Sequence, residues 1–425
     1  MTAKPNILIA QSGGPTAVIN AGLCGVIRTA QNSGTLGNIY GAVNGIRGVL
    51  QEEIIDLTDL TPAALDALKQ TPAAALGSCR YKLKSLDESA ADYQRILEIF
   101  QAHDIHYFFS AGGNDSMDTA DKITRLAAQS NFELTCIGIP KTVDNDLAYT
   151  DHCPGYGSVA KYVATCAAEA GRDTETLYTT DTCTILEVMG RNAGWIAAAA
   201  GLAALTPHDA PHLIYLPETP FTLEKLIDDV KRVHRRLGRV FIVVGEGLKD
   251  SDGNYLSADT GAFAQDHFGH RQLGGIADLL KTVIENQVGI KARCNKPGTN
   301  QRSALHCASL TDLNESYLCG ARAVQYALDG AHGKMVSLVR HSSRPYHCTT
   351  TLVELAAVAH AEKKLPPEFI NDAHNHVTDA FKDYLRPLVQ GQAPITIGPD
   401  GLPVFARLTK KLLPPKCPEY KLGTN

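Results

Sequence analysis

The chain predicts an α/β fold built on mostly parallel sheets, and three observations carry that prediction. Short apolar, β-branched runs are twice followed by a Gly-Gly turn and a helical pattern: Asn6 to Ala10, Gly13-Gly14 and Ala17 to Ala30, then Ile105 to Ser110, Gly112-Gly113 and Met117 to Gln129. A further run, Leu134 to Ile139, has the composition of a buried strand and ends at Pro140, which cannot donate to a sheet ladder. Thr184 to Val188 hands over in the same way to Met189-Gly190-Arg191 and a helix of small residues, Ile196 to Leu205.

Length and composition bound the rest. The 425 residues suffice for two or three domains and a large core. A hydrophobic content of 44% and a charged content of 20% are those of an ordinary soluble globular protein. The net charge of −5 argues against a general nucleic-acid surface, which needs a clustered positive field. Trp195 to Leu205 is too short to span a membrane, and Met1 to Pro5 runs into a strand without a signal-like apolar region. The eleven cysteines form no C-x-x-C pair, which speaks against zinc and fits reduced thiols. The cytoplasm is the expected location, with neither nucleic acid nor membrane as partner.

In chain order, the turn after the first strand aims free backbone N–H groups where a phosphate could sit. It is neither a Walker loop nor G-x-G-x-x-G, so a plain βα turn needing positive φ stays open. Asn38 to Val49 reads as a second strand with a Gly-rich turn. Arg80, just past Gly77-Ser78, is either a bidentate phosphate contact or a surface arginine. Ala90 to Gln101 is an amphipathic helix. At the second Gly-Gly turn, Asn114 and Asp115 are either oxygen ligands for a magnesium ion held by phosphates or N-cap residues. Two helix N-termini converging on one cleft would suit a polyanion.

Lys141-Thr142-Val143-Asp144-Asn145-Asp146 places one cation and two carboxylates just past a strand. Open α/β sheets bind ligands at the carboxyl ends of their strands, so this segment should overhang the cleft. There Lys141 can neutralise an anion and Asp144 can accept a proton; the alternative is a solvated polar turn. Gly/Pro-rich Asp151 to Ser158 marks the crossing into a second domain, followed by a helix from Val159 to Ala170. Arg191 lies where an anion would sit. Leu213 to Leu216 and Val240 to Val244 are strands, the latter placing Glu246 at a carboxyl end.

Lys249 to Gly275 is polar and Gly-rich. It fails as a calcium loop, because Tyr255 stands where the sharp-turn glycine belongs and Gly261 where the bidentate glutamate belongs. It reads as a mobile flap or insert. Leu273 to Gln287 and Ser316 to Leu328 are expected helices and Met335 to Val339 a strand. From Thr350 the chain reads as mainly helical, with His374 and His376 on a solvated face. Leu385 to Asn425 is a Pro-punctuated tail expected to pack on the second domain.

Gly13-Gly14, Gly112-Gly113-Asn114-Asp115-Ser116, Pro140 to Asp146, Met189-Gly190-Arg191 and Gln301-Arg302 stand in the order and spacing of the phosphofructokinase A family. The resemblance runs from about Asn6 to about Val339. Its Pro-Lys-Thr-x-Asp-Asn-Asp pattern resembles the diphosphate-dependent branch. It implies two Rossmann-like α/β/α domains with the active site in the cleft between them. Residues 1–154 and about 303–384 would form the larger, diphosphate-binding domain. Residues 155–302 and about 385–425 would form the smaller, sugar-phosphate-binding domain. The implied reaction is reversible phosphoryl transfer from diphosphate to the C1 hydroxyl of fructose 6-phosphate, with Mg2+; the alternative is an ATP-dependent 6-phosphofructokinase. ATP-using relatives carry Gly at the positions of Asp115 and Lys141. By the family's logic Asp115 fills space the nucleotide would need, and Lys141 supplies charge to the departing phosphate.

The resemblance also implies roles. Asp144 is similar to the general base for the sugar hydroxyl, and Thr142 contacts the reacting end of the sugar with it. Asp146 would position the metal or the base. Gly14, Arg80 and Lys141 match donor-phosphate positions. Met189, Gly190, Arg191, Glu246, Thr299 and Arg302 match the sugar-phosphate site, with Arg191 also placed to stabilise charge in the transition state. Arg293 matches a cation that reaches across a subunit interface to the 6-phosphate, which implies a homodimer or homotetramer. Three positions depart from the pattern. Asn114 replaces the aspartate usually associated with magnesium, Thr299 replaces a His or Tyr, and Thr182 replaces a second cross-subunit Arg. A non-catalytic regulatory subunit would tend to lose the base or the clamp cations, and Asp144, Lys141, Arg191 and Arg302 are all present.

Overall fold

The apolar runs become strands because both of their faces are covered. The computed structural model describes residues 4–79, 81–86, 88–177, 179–256 and 274–422. Its strands are β1 (Asn6–Gln11), β2 (Ile39–Ala42), β3 (Ile54–Asp56), β4 (Ile105–Gly112), β5 (Thr135–Pro140), β6 (Cys183–Val188), β7 (Leu213–Tyr215), β8 (Val240–Gly245), β9 (Ala292–Asn295), β10 (Lys334–Ser343) and β11 (Tyr346–Glu354). β1, β6 and β8 are buried along their whole length. Such continuous apolar runs are characteristic of parallel strands with helices on both faces.

The larger sheet has seven strands in the order β11-β10-β5-β4-β1-β2-β3. All pairs are parallel except β10–β11 and β2–β3 at the two edges. Side chains alternate between its faces. Leu8 and Phe108 pack in one core with Ile96, Phe100 and Met117. Ile7, Ile9 and Phe109 pack in the other with Leu23, Ile27 and Val324. The smaller sheet, β7-β8-β6-β9, is wholly parallel. Register sets the ends level: Gln11 pairs with Ala111, Gly112 with Pro140, and Val188 with Gly245. Turns leaving β1, β4 and β5 therefore emerge side by side, as do those leaving β6 and β8. Among the described residues no helix is long and apolar enough to cross a membrane.

Several elements differ from expectation. The first long helix is Ile19–Ser33, so Gly13-Gly14 stands off from its N-terminus. The second, Asn114–Gln129, does start directly at its Gly-Gly turn. Residues from Tyr346 to Glu354 are a strand, where a helix had been expected from Thr350. Three β-branched threonines suit a pleated edge, and they pair with β10. Helix Leu223–Leu237 was not anticipated, although Thr222 caps it by accepting from the Lys225 N–H at 3.2 Å. His376 is not solvated; its ring bonds the carbonyls of Val377 and Pro211. Asp250, Asp252 and Asn254 form a turn in which Asp250 accepts two backbone N–H groups at 2.9 Å. Most of the expected flap, 257–273, lies outside the described residues.

Helix Leu310–Leu328, β10 and β11 lie in the larger lobe as expected, but the segments after them divide between the lobes in the reverse of the expected order. Leu365, Val377, Phe381, Leu385 and Leu388 complete the core around Val188, Trp195 and Phe241 of the smaller sheet. The tail beyond returns to the larger lobe. Leu413 N–H donates to Ile54 O at 2.8 Å, Lys416 N–H to Glu52 at 2.6 Å and the Tyr420 hydroxyl to Asp92 at 2.6 Å. Aromatic bulk at 365–388 seeks the Trp195 core, whereas the polar, proline-rich tail lies on a surface already formed.

Helix Ile19–Ser33 meets helix Leu310–Leu328 at glycines. A Cβ at Gly320 would lie 2.0 Å from the Gly22 carbonyl oxygen, and one at Gly25 would lie 2.2 Å from that of Tyr317. Alanine in place of a helical glycine gains up to about 1 kcal/mol of propensity. Here the clash is with backbone, so overpacking should win. Gly320→Ala is expected to lower stability by about 1–3 kcal/mol in guanidinium unfolding; a variant as stable as the parent would show that the two helices part freely.

Candidate active site

The aspartate loop is held from below. Lys141 N–H donates to Gly112 O at 3.1 Å and Thr142 N–H to Pro154 O at 3.2 Å, fastening the loop to β4 and to the segment that leads into the second lobe. Asn145 is the pivot. It adopts a left-handed φ of 55° and its side chain is fully buried. Its Oδ1 accepts from Cys153 N–H at 2.9 Å, and its Nδ2 donates to the Tyr384 hydroxyl at 3.2 Å. With the middle residue turned inward, Asp144 and Asp146 on either side are left lining the cleft.

Lys141 lies beneath the cleft floor, 4% exposed, and donates from Nζ to the Gly14 carbonyl at 2.7 Å. Burial pulls its ammonium down to about 8, against the pull of Asp144 and Asp146. Burial pushes Asp144 up to about 6, and Glu246 adds to the rise; Lys141, Arg191 and Arg302 oppose it. Burial and then Asp144 push Asp146 up to about 7. Glu246 is raised by burial, with Arg191 opposing. A carboxylate near neutrality can take a proton from a hydroxyl and release it again.

From the smaller lobe, the loop after β6 brings Met189, Arg191, Asn192 and Ala193 to the same cleft. Gly190 has φ 124°, a conformation open in practice only to glycine. Gln301 steadies the loop by accepting from Met189 N–H at 3.1 Å. Among the described residues Arg191 Nε is buried without a protein partner, as is Asn114 Oδ1. Buried polar atoms of this kind call for a ligand. The one would be met by an anion, the other by a cation or donor.

The cleft, about 380 Å³, thus unites Gly14, Asn114, Asp115, Lys141, Thr142, Asp144, Asp146, Met189, Arg191, Glu246 and Arg302. Other expected residues lie elsewhere. Thr299 is the exposed residue before the short helix Asn300–Ser303 and does not line the cleft. Arg293, on β9, pairs in register with Thr184 near the start of β6 and bonds Asp173 at 2.7 Å, away from this chain's own cleft. Arg80 lies outside the described residues. Asp115 is partly exposed and 3.9 Å from Lys82. Ser12, Gly113, Ser116, Asn192 and Glu362 also line the cleft and had not been singled out as site residues. The first four adjoin glycine turns already recognised; Glu362 had no local signal.

A divalent cation fits this donor set. Among the described residues no group of three His, Cys, Asp or Glu could hold a metal alone. Asn114 Oδ1 and the two aspartates offer a few hard oxygens, and magnesium commonly completes its shell with water and substrate phosphates.

Fold and cleft together define the class: a two-lobed α/β protein with a cleft suited to anions between the carboxyl ends of the parallel strands of two sheets, beside a carboxylate poised near neutrality. Residues 6–327 match the family described as Phosphofructokinase, and the chain belongs to that family. It is 45% identical over 417 residues to a protein of Xanthomonas campestris pv. campestris (strain B100) named pyrophosphate–fructose 6-phosphate 1-phosphotransferase, covering 98% of this chain and 99% of that one. A Halomonas elongata protein of the same name is 45% identical over 424 residues, covering 99% and 100%. The crystal structure of a pyrophosphate-dependent phosphofructokinase from Marinobacter aquaeolei superposes with a TM-score of 0.89 at 42% identity, covering 98% of this chain and all of that one.

Two of the four shifted groups, Asp144 and Lys141, predict a pH dependence. A base at Asp144 would have to be ionised, so its rise from 3.8 to about 6 would move the acid limb of turnover upward. An anion-binding Lys141 would have to be protonated, so its fall from 10.5 to about 8 would bring the basic limb down. Turnover is expected to rise through about pH 6 and fall through about pH 8 in initial-rate profiles. A profile flat from about pH 5 to about pH 9 would contradict both assignments.

Proposed function

We propose that the chain reversibly transfers a phosphoryl group from diphosphate to the C1 hydroxyl of fructose 6-phosphate, giving fructose 1,6-bisphosphate and phosphate. The observation that carries this reading is the opposition of buried Lys141, bonded to Gly14, to Asp144 in one cleft. Likeness to proteins named for that reaction supports it. In this reading the larger lobe holds the donor and the smaller lobe holds the sugar phosphate.

Asp144 accepts the C1 hydroxyl proton as the oxygen attacks the nearer phosphorus of diphosphate. Thr142, whose hydroxyl accepts from Asp144 N–H at 3.1 Å, keeps the carboxylate at the reacting end. Lys141, with Gly14 and Arg80, holds the phosphate that departs. Arg191 meets the equatorial charge that develops in transfer, and Met189, Gly190, Glu246 and Arg302 hold the sugar phosphate; Thr299, matched to that site by resemblance, stands outside this chain's cleft. This chemistry is mainly positioning and charge stabilisation. Asn114 and Asp146 would hold Mg2+, which when bound neutralises charge on the diphosphate oxygens. By the family's logic Asp115, in the first turn of helix Asn114–Gln129, would fill space a nucleotide needs. The working form is a homodimer or homotetramer in the cytoplasm, in which Arg293 reaches a neighbour's sugar phosphate.

Purified protein given fructose 6-phosphate and magnesium is expected to turn over with diphosphate and negligibly with ATP. Turnover with ATP alone would overturn the donor. Replacing the base, Asp144→Asn, is expected to lower kcat ~10²–10⁴-fold while the protein stays folded by circular dichroism; unaltered activity would remove Asp144 from that role.

A further inference from the structure

Residues Glu362 to Leu365 lie beyond the stretch matched to the family, 6–327, yet they touch both loops that build the cleft. Toward the larger lobe, Glu362 forms an antiparallel bridge with Leu147, and Lys363 N–H donates to Asp146 O at 2.7 Å. Toward the smaller lobe, Lys363 O accepts from Trp195 Nε1 at 3.1 Å. Leu365 N–H donates to Glu218 Oε1 at 3.0 Å, and the same oxygen takes Gly194 N–H at 2.8 Å. Gly194 and Trp195 follow closely on Arg191. Four residues therefore join the aspartate turn to the arginine loop by hydrogen bonds at both ends.

The Lys363 side chain reinforces the join from within. Its Nζ donates to Asn145 Oδ1 at 3.3 Å, Thr150 O at 3.1 Å and Asp151 O at 2.9 Å. These use its three donors. The ammonium also lies 5.2 Å from the Trp195 ring centroid, a cation–π contact with the smaller lobe. Tyr384 completes the seat: its hydroxyl accepts from Asn145 Nδ2 at 3.2 Å and donates to Asp151 O at 2.9 Å. Asn145 is the residue whose inward turn leaves Asp144 and Asp146 at the cleft, so whatever holds Asn145 holds the base.

We propose that Lys363 is a positioning residue for the phosphoryl transfer: it clamps the Asn145 turn to the Trp195 edge of the smaller lobe, setting the spacing between Asp144 and Arg191. The inference rests on the reaction proposed above. Lys363 does not itself touch the sugar or the diphosphate. Its loss should therefore fall on the chemical step and leave binding of both substrates in place.

Lys363→Met keeps the stem over Trp195 and removes the ammonium. It is expected to lower kcat by about 10- to 100-fold, with KM for fructose 6-phosphate and diphosphate within about threefold of the parent, as misplacement of a reacting group does. Lys363→Arg, which retains the charge, should recover part of the loss. Tyr384→Phe removes only a hydroxyl and decides the matter if the Met variant fails to fold; a fall in kcat of about three- to tenfold at unchanged KM is expected. Parent-like kcat in a folded Met variant would overturn the proposal. So would a loss borne by KM alone, or parent-like kcat in Tyr384→Phe when the Met variant does not fold. Parent protein inert with diphosphate would instead strike the reaction itself.

Discussion

Everything in the cleft depends on keeping one ammonium buried. An ammonium taken out of water costs several kcal/mol unless it is paired and hydrogen-bonded. Lys141 meets that condition only because three segments converge on it. β5 delivers the lysine, the turn after β1 offers the Gly14 carbonyl at 2.7 Å, and the loop beyond presents Asp144 and Asp146. The groups stabilise one another. Lys141 restrains the rise that burial imposes on Asp144, and the aspartates restrain the fall that burial imposes on Lys141. A base near neutrality and a cation still charged there are two consequences of one arrangement.

The charge balance of the cleft gives a physical reason for a divalent cation there. Three cations line it, Lys141, Arg191 and Arg302, against five carboxylates, Asp115, Asp144, Asp146, Glu246 and Glu362. A diphosphate and a sugar phosphate would enter a space that is already net negative among the described residues. Local geometry, with cations aimed inward and a helix N-terminus at Asn114, can attract an anion despite that balance. It does not offset several phosphate charges at once. A divalent cation would, and Asn114 Oδ1, without a partner among the described residues, has the hardness to help hold it.

Legibility in the sequence followed physical locality. The strands β1, β4, β5, β6 and β8 announced themselves because parallel strands covered on both faces are nearly unbroken apolar runs. The cleft loops were legible because ligands in such sheets bind at strand carboxyl ends. Contacts between distant segments left no local trace. Lys363 meets Asn145 across 218 residues, and nothing in the run from Glu362 to Leu365 marks it as part of a site. β11 was hidden because its residues are half-exposed and polar, so pairing with β10, not burial, makes it a strand. The tail was assigned to the wrong lobe for a related reason: proline-rich segments carry no periodicity, and only their hydrogen-bond partners reveal where they lie.

Arg293 gives the last step its direction. It sits opposite Thr184, four residues before β6 ends at Val188, and so about 13 Å short of the cleft at the usual rise per strand residue. A guanidinium there cannot serve this chain's own sugar site. It is engaged with Asp173, which is 60% exposed, and rim ion pairs of this kind contribute little, about 0–1 kcal/mol. An incoming phosphate could displace that pair at small cost. Thr182, one residue before β6, buries a hydroxyl that has no partner among the described residues. On the proposed reading, this edge of the smaller sheet is the surface a neighbouring subunit's sugar phosphate would meet, and Arg293 is the cation it would find there.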